Sequence, residues 1–367
     1  MPSPFRFDEE GDGYVFGLAR AGFALLLGLQ TWRALNVALK IGYFGDFFHM
    51  PIVPEALVPS ATGYFALLGL QLVCALLAFG GWFSREALAT GSLVGIHLML
   101  CDRLDYHNNR FALLLLAFLC AFTPCDRSWL FFRRRALTLP LAERRGPVWA
   151  RRLLAIQISA IYLSSGGGKL LDPDWFGGQT MLVRFSHSLA FLAGRGVSLP
   201  DWLTALGSAP WAASVASKAA ISLELFLAFG LWWSRTRALA LWAGVLFHLG
   251  IELSAHVELF SWVMGAGYVA AFVTPELRER TLEIDPAWRF ASVVRRSVSA
   301  LDWLARLRLD EGRGGGDEPL ILVDRDGRRA SGLRAAAGLA RVIPVFFPFW
   351  GPLALLSKVT ARTVSRS

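Results

Sequence analysis

Residues 164–178 read SSGGGKLLDPDWFGG and directly follow a long apolar segment. Three successive glycines weaken the interior of a helix by roughly 1 kcal/mol each relative to alanine, and Pro173 between two aspartates is typical of a turn. We therefore expect the backbone to leave helical geometry here and to carry Lys169 with it. An ordinary membrane helix does not need a lysine, two carboxylates and a tryptophan beside glycines, so this passage is a candidate site.

The apolar segments around this passage indicate an all-α integral membrane protein. The chain has 367 residues, of which 54% are hydrophobic and 18% are charged. Its apolar residues gather into runs of about 20, the length of helix that crosses a hydrocarbon core about 30 Å thick. We predict a polytopic helix bundle of about eight spans with a small cytoplasmic tail. The predicted spans are residues 15–38, 62–80, 87–104, 111–122, 148–163, 212–233, 238–253 and 260–273.

The arginines set the expected orientation. The net charge is +9, but the arginines concentrate between apolar segments and in the tail, as they do on the cytoplasmic side of membrane proteins. The loop 126–152 holds eight of them, so we assign this loop and both termini to the cytoplasm. The sequence thus predicts a multi-pass protein of the plasma membrane, or bacterial inner membrane. We expect membrane lipid as a partner and no binding of nucleic acid.

This orientation places the polar loops together on the non-cytoplasmic side. They hold His107, Asn108 and Asn109 before the fourth span, the passage 164–178 after the fifth, and His256 after the seventh. The candidate site therefore opens away from the cytoplasm.

Ionisable residues within the spans are costly and point to function. His248, Glu252 and His256 follow one another at intervals of four, so they share one face of the seventh span. That spacing is compatible with a metal, but hydrogen-bonded histidines inside a bundle are commoner, and we predict no metal in the site. We expect Glu224 in the sixth span to pair with another helix, and Arg20 in the first to extend toward the membrane surface.

Lys169 allows two interpretations. It is either an interfacial anchor whose ammonium reaches lipid headgroups or a lysine held in a pocket, where it can act as a base. Gly167 and Gly168 favour the pocket, because a backbone without side chains permits close approach of a flat ligand. Asp172 is either part of the site or a residue that forms a turn and caps the segment that follows.

The chain is predicted to have five parts. They are a cytoplasmic N-terminus (1–13), a transmembrane domain (14–276), a basic amphipathic helix lying on the inner leaflet (277–310), a glycine-rich linker (311–318) and a small α/β cytoplasmic tail (319–367).

Four separated stretches resemble the vitamin K-dependent gamma-glutamyl carboxylase family and its bacterial relatives, the horizontally transferred transmembrane (HTTM) domain proteins. The resemblance covers residues 14–276, and its stretches occur in the same order as in that family. They are FHMPIVPEALVP (48–59), DRLDYHNNRFALLLLAF (102–118), YLSSGGGKLLDPDWFGGQTM (162–181) and FHLGIELSAHVELFSWVMGAGYVAAFVTPE (247–276).

The resemblance implies a membrane enzyme that uses a reduced quinone of the vitamin K or menaquinone type together with O2 and CO2. In that family a lysine deprotonates the quinol, O2 adds to it, and the strong base so formed removes a proton from a glutamate side chain that takes up CO2. The quinone leaves as an epoxide. Carried over, the resemblance makes Lys169 and His248 catalytic, and it implies a peptide or small-molecule substrate on the non-cytoplasmic side. The implied quinone-binding residues are His107, Asn108, Asn109, Gly167, Gly168, Asp172, Trp175, Glu252 and His256.

The sequence departs from the carboxylase pattern at two positions. The carboxylases carry two successive lysines of which the second is the base, whereas Leu170 follows Lys169 here, and Asn109 stands where they have a histidine. The alternative function is therefore a non-catalytic protein on the same scaffold, an immunity, export or assembly factor. The tail from residue 318 to 362 resembles the C-terminal part of the DCC thiol-disulfide oxidoreductase family without its cysteine motif.

Overall fold

The computed structural model describes residues 9–42, 49–132, 138–255, 259–273, 280–310 and 318–364. It divides into two compact units, Met1–Val273 and Thr274–Ser367. The first unit contains the candidate site. The second corresponds to the predicted tail together with the segment before it.

The first unit has a helix at each of the eight predicted span positions. The helices of this unit are α1 (Tyr14–Ile41), α2 (Ala61–Gly80), α3 (Ser84–Leu100), α4 (Asn108–Cys120), α5 (Leu141–Arg144), α6 (Ala150–Leu171), α7 (Pro173–Gly177), α8 (Gln179–Gly194), α9 (Asp201–Gly207), α10 (Pro210–Gly230), α11 (Ser234–Ala255) and α12 (Phe260–Phe272). Short 3-10 helices lie at Glu55–Leu57 and Arg103–Asp105, and strands β1 (Glu10–Asp12) and β2 (Arg145–Pro147) pair antiparallel.

Three helices in the described part of the chain, α1, α2 and α10, are both long and apolar enough to cross a membrane. Helices α4 and α12 are apolar but have 13 residues each, which span about 20 Å at about 1.5 Å per residue. Helix α6 is long enough but carries arginines at its start and the serine, glycine and lysine cluster at its end. The structure thus shows a mostly helical unit with membrane-type helices, and the count of eight spans stays a prediction.

The glycine passage is helical, so the prediction that the backbone leaves helical geometry there was wrong. Helix α6 continues through all three glycines to Leu171. Gly166 faces α10, where an added Cβ would lie 3.1 Å from the Cβ of Glu224. This close approach of two helices accounts for one glycine, because the packing it permits offsets the weak helix propensity.

Helix α6 ends at Asp172, which caps the next helix. Its side chain accepts hydrogen bonds from the backbone N–H groups of Asp174 and Trp175, and Pro173 occupies the first turn of α7, where a proline loses no helical hydrogen bond. The capping interpretation of Asp172 is confirmed. Gly178 then adopts a φ of 92° and lies against the backbone of α10, which directs the chain into α8.

Arg20 is completely buried, so the expectation that it extends to the membrane surface was wrong. Its guanidinium donates hydrogen bonds to Ser84 Oγ at 3.0 Å and to the backbone oxygens of Phe79, Cys125 and Trp129. These acceptors belong to the end of α2, the start of α3 and the loop after α4. Arg20 therefore connects three parts of the unit that are distant in sequence.

The second unit is a four-stranded sheet with helices. Its strands are β3 (Arg280–Ile284), β4 (Leu307–Asp310), β5 (Leu320–Val323) and β6 (Arg329–Ser331), and their order is β4-β3-β5-β6. Strand β3 runs parallel to β4 and antiparallel to β5. Helices α13 (Ala291–Leu301), α14 (Gly332–Val342) and α15 (Trp350–Val364) complete the unit, with a 3-10 helix at Pro344–Phe349.

The strands change the predicted organisation of the C-terminal region. The segment 277–310 contains β3 and β4 as well as the expected amphipathic helix, and Val298 on that helix packs in the same core as Leu282 and Leu322 of the sheet. The amphipathic helix predicted for this segment is present as α13, but its predicted extent over 277–310 was wrong, because two strands share the segment. The chain as a whole is therefore not all-α, and the place of α13 on the inner leaflet stays a prediction. The strand at 320–323 and the helix α14 that follows it agree with the predicted α/β character of the tail. Residues 311–317 of the expected linker lie outside the described residues.

Candidate functional site

A cavity of about 670 Å³ lies between helices of the first unit. Its wall combines polar side chains with aromatic ones. The polar lining residues are Asn108, Asn109, Gln157, Ser164, Ser165, Lys169, Arg184 and Glu224, and the aromatic ones are Phe111, Trp175, Phe185, Phe247 and Phe260. A volume of this size is ordinary for a small-molecule site, and a mostly apolar wall with a few convergent polar groups is the usual character of such sites.

An ion pair between Lys169 and Glu224 forms the polar centre of the cavity. Lys169 Nζ lies 2.6 Å from Glu224 Oε1 and 2.9 Å from Ser165 Oγ, and Ser165 Oγ donates a hydrogen bond of 3.1 Å to the same carboxylate oxygen. The side chain of Glu224 is 5% exposed and that of Lys169 is 19% exposed. The pairing of Glu224 with another helix is confirmed. Its partner, Lys169, was not predicted.

The local sequence explains how this centre is assembled. Ser165 and Lys169 are four residues apart, so both side chains lie on one face of α6. Gly166 on the adjoining position lets α10 approach closely enough for Glu224 to reach them. The second carboxylate oxygen, Glu224 Oε2, is buried and has no hydrogen-bond partner in the described part of the chain.

Two cationic side chains lie near the indole ring of Trp175. Lys169 Nζ is 4.9 Å and the guanidinium carbon of Arg184 is 5.3 Å from the centre of an indole ring, within the range of cation–π attraction. Ser217 on α10 donates a hydrogen bond to the backbone oxygen of Trp175. This contact holds the short helix α7 against α10, so the indole forms part of the cavity wall.

Asn108 and Asn109 reach the cavity from the first turn of α4. His107 precedes this helix as its N-cap residue, and its Nδ1 accepts a hydrogen bond of 3.3 Å from the backbone N–H of Asn109. His107 does not line the cavity itself. The structure thus brings four of the predicted site residues, Asn108, Asn109, Lys169 and Trp175, to one cavity.

Four other predicted residues are absent from the lining among the residues that the structure describes. A Cβ added to Gly167 or Gly168 would meet nothing within 4 Å. No neighbouring group in the described structure therefore packs so closely that a glycine is needed at either position. Asp172 caps α7. Glu252 lies one residue beyond the lining residue Ile251, with Oε2 buried and unpartnered among the described residues.

His248 lies behind the cavity wall in a cluster of buried rings. Its Nε2 is 2.6 Å from the hydroxyl of Tyr162, which also hydrogen-bonds to the hydroxyl of Tyr268. The lining residues Phe247 and Phe260 flank the imidazole, with ring centres 5.5 and 5.6 Å away. His248 is therefore buried against the site without lining it.

Sequence reasoning missed several residues of the cavity and of the cluster behind it. Arg184 and Gln157 are lining residues that carried no signal beyond polarity within an apolar context, whereas Ser165 lay in the candidate passage without being singled out. Tyr162 could have been suspected, because a buried tyrosine hydroxyl in an apolar helix needs a partner.

Within the described residues, no group of three histidine, cysteine, aspartate or glutamate side chains is arranged to hold a metal ion. His256, the third member of the predicted histidine face, lies outside the described residues. The four cysteines are buried and free.

Comparison with known proteins gives one match. A family model described as the HTTM domain matches residues 9–276, which include every helix of the first unit. No curated protein and no solved structure matches the chain.

Proposed function

Since the chain belongs to the HTTM domain family, we propose that its membrane domain binds a reduced quinone of the vitamin K or menaquinone type in the cavity at Lys169. The observation that carries this proposal is the combination of a charged, hydrogen-bonding centre with aromatic walls in one cavity. A naphthoquinol has the matching character, because its flat ring is apolar and its hydroxyl groups are polar. Aromatic side chains favour offset-stacked or edge-to-face packing with such a ring.

We further propose that this domain is a multi-pass bundle of eight spans in the plasma membrane with both termini in the cytoplasm. The support is a helix at each predicted span position and the eight arginines of the loop 126–152. In this orientation the cavity opens to the non-cytoplasmic side, where a peptide or small-molecule substrate would approach.

The proposed chemistry is that of a carboxylase-like enzyme. A bound quinol would supply, through reaction with O2, the strong base needed to remove a proton from a substrate that then takes up CO2. The residues of the chain orient the ring and remove its hydroxyl proton. Asn108 and Asn109 offer amide donors and acceptors to the ligand hydroxyls, and the Lys169–Glu224 pair is the acid–base group of the cavity.

Binding of a naphthoquinol by the purified full chain in lipid nanodiscs tests this proposal. We expect saturable binding to the native chain and a loss of roughly tenfold or more, about 1.4 kcal/mol, in Lys169→Met. Lys218→Met is the matched control, since Lys218 lies on α10 and donates to Ser214 of its own helix, 2.6 Å away. The absence of quinol binding by the native chain at saturating ligand would overturn the proposal.

A non-catalytic role is the second candidate, and Leu170 is the observation that favours it. The carboxylase pattern places the base at this position, but Leu170 is 46% exposed here and lies outside the lining among the described residues. An immunity, export or assembly factor would retain its cellular phenotype in Lys169→Met. It would lose that phenotype when the non-cytoplasmic loops are altered.

A further inference from the structure

We infer that Glu224, rather than Lys169, is the group that receives a proton from the ligand in this cavity. The inference rests on the proposed function, since it concerns the same cavity and a ligand that carries a hydroxyl group. It changes the assignment made from sequence resemblance, in which Lys169 is the base.

Lys169 has no site left at which to accept a proton. An ammonium group has three N–H donors and no acceptor. Around Lys169 Nζ the structure places three partners, namely Glu224 Oε1 at 2.6 Å, Ser165 Oγ at 2.9 Å and the face of the Trp175 indole at 4.9 Å. The three partners equal the three N–H donors in number, so the ammonium is already paired before a ligand binds.

Glu224 has a free acceptor. Its Oε1 accepts hydrogen bonds from Lys169 and Ser165, whereas Oε2 is buried and has no hydrogen-bond partner among the described residues. A buried carboxylate oxygen without a donor is costly and stands out in a folded protein. Glu224 lines the cavity. A ligand hydroxyl in the cavity can therefore donate to Oε2 after a small displacement of the side chains that cover this oxygen.

The proton transfer balances without any further reactant. The O–H bond of the ligand breaks, an O–H bond forms at Glu224 Oε2, and the ligand retains the electron pair as an oxyanion. The ammonium of Lys169 loses its charged partner when Glu224 is neutralised. It then faces the new oxyanion, so one ion pair replaces another and Lys169 acts by stabilising the charge that forms.

Glu86 provides a control glutamate within the same unit. It is exposed in the first turn of α3, and it lies outside the cavity lining. A substitution at Glu86 therefore changes a carboxylate without touching the Lys169 centre or any residue of the predicted site.

Infrared difference spectroscopy of the full chain in nanodiscs tests the inference. The probe is a short-chain naphthoquinol added without oxygen, so that only binding and proton transfer take place. We expect a carbonyl band of a protonated carboxyl group on binding, and a shift of that band when the chain carries isotope-labelled glutamate. The band should be lost in Glu224→Gln and retained in Glu86→Gln.

Two results separate this inference from the proposed function. If the naphthoquinol binds and its oxyanion absorption appears, but no carboxyl band forms in the native chain, then Glu224 is not the acceptor while quinol binding stands. If the ligand does not bind at all, both fail. The isotope shift is measured on the native chain, so this reasoning remains open to refutation even where Glu224→Gln does not fold.

Discussion

Replacing Lys169 by methionine should destabilise the first unit by leaving the carboxylate of Glu224 buried without its cation. Removing one partner of a buried ion pair costs about 3–5 kcal/mol. The lower end applies here, because the Lys169 side chain retains 19% exposure and Ser165 still donates to Glu224 Oε1. We expect a loss of about 3 kcal/mol in the free energy of unfolding.

The double variant Lys169→Met/Glu224→Leu distinguishes loss of the pair from loss of packing. Well-packed apolar residues often replace a buried ion pair at little cost. The free energy of unfolding lost by the double variant should therefore be smaller than the summed losses of the two single variants by about 2 kcal/mol or more. The measurement is unfolding in mixed micelles, monitored by tryptophan fluorescence. If each single variant loses less than about 1 kcal/mol of unfolding free energy and the two losses add, the ion pair is no stronger than one on the protein surface. That result would refute this account of the Lys169–Glu224 pair.

Three further substitutions test the packing of the first unit. Gly244→Ala should destabilise the unit by about 1–3 kcal/mol, because the added Cβ would overlap the hydroxyl of Tyr268. Gly250→Ala on the same helix is the control, since its Cβ would meet nothing within 4 Å and the change should be neutral or stabilising. Equal melting temperatures of the two variants would contradict this reasoning. Gly178→Ala should cost about 1–3 kcal/mol, since alanine must adopt a φ of 92° there, and unchanged unfolding would argue against that backbone. Arg20→Met should lower the melting temperature more than the other two variants, because it leaves several buried oxygens without a donor; wild-type melting would exclude its connecting role.

The helices at the eight predicted span positions could be located from the sequence, whereas helices α5, α7, α8 and α9 and the geometry of the glycine passage could not. Apolar runs separated by polar loops are a strong local signal, and a helix lies at every position where such a run occurs. The propensity of three glycines argued against a helix. Gly166 is needed because Glu224 packs closely against it, and Glu224 is distant in sequence.

Arg20 and β3 show the same limitation in other forms. An arginine in an apolar helix gives no indication of which backbone oxygens will surround it, and those of Arg20 come from positions more than fifty residues away. Strand β3 is five residues long and precedes a helix whose strong amphipathic pattern is the dominant signal of the segment. The strand becomes recognisable only through its pairing with β4 and β5.

The cationic side chains around the cavity lower the cost of the oxyanion that proton transfer creates. In the described part of the chain, the charged lining residues are Lys169, Arg184 and Glu224, and their sum is positive before a ligand binds. Once Glu224 holds the proton, two cations face one oxyanion. Arg184 is exposed at the edge of the cavity and is partly screened by solvent, whereas Lys169 is held in place by Ser165 and Trp175. Interactions that are stronger in the transition state than in the ground state accelerate a step. Negative charge already develops on the ligand oxygen in the transition state of proton transfer, so the fixed charge of Lys169 supports deprotonation of a bound hydroxyl.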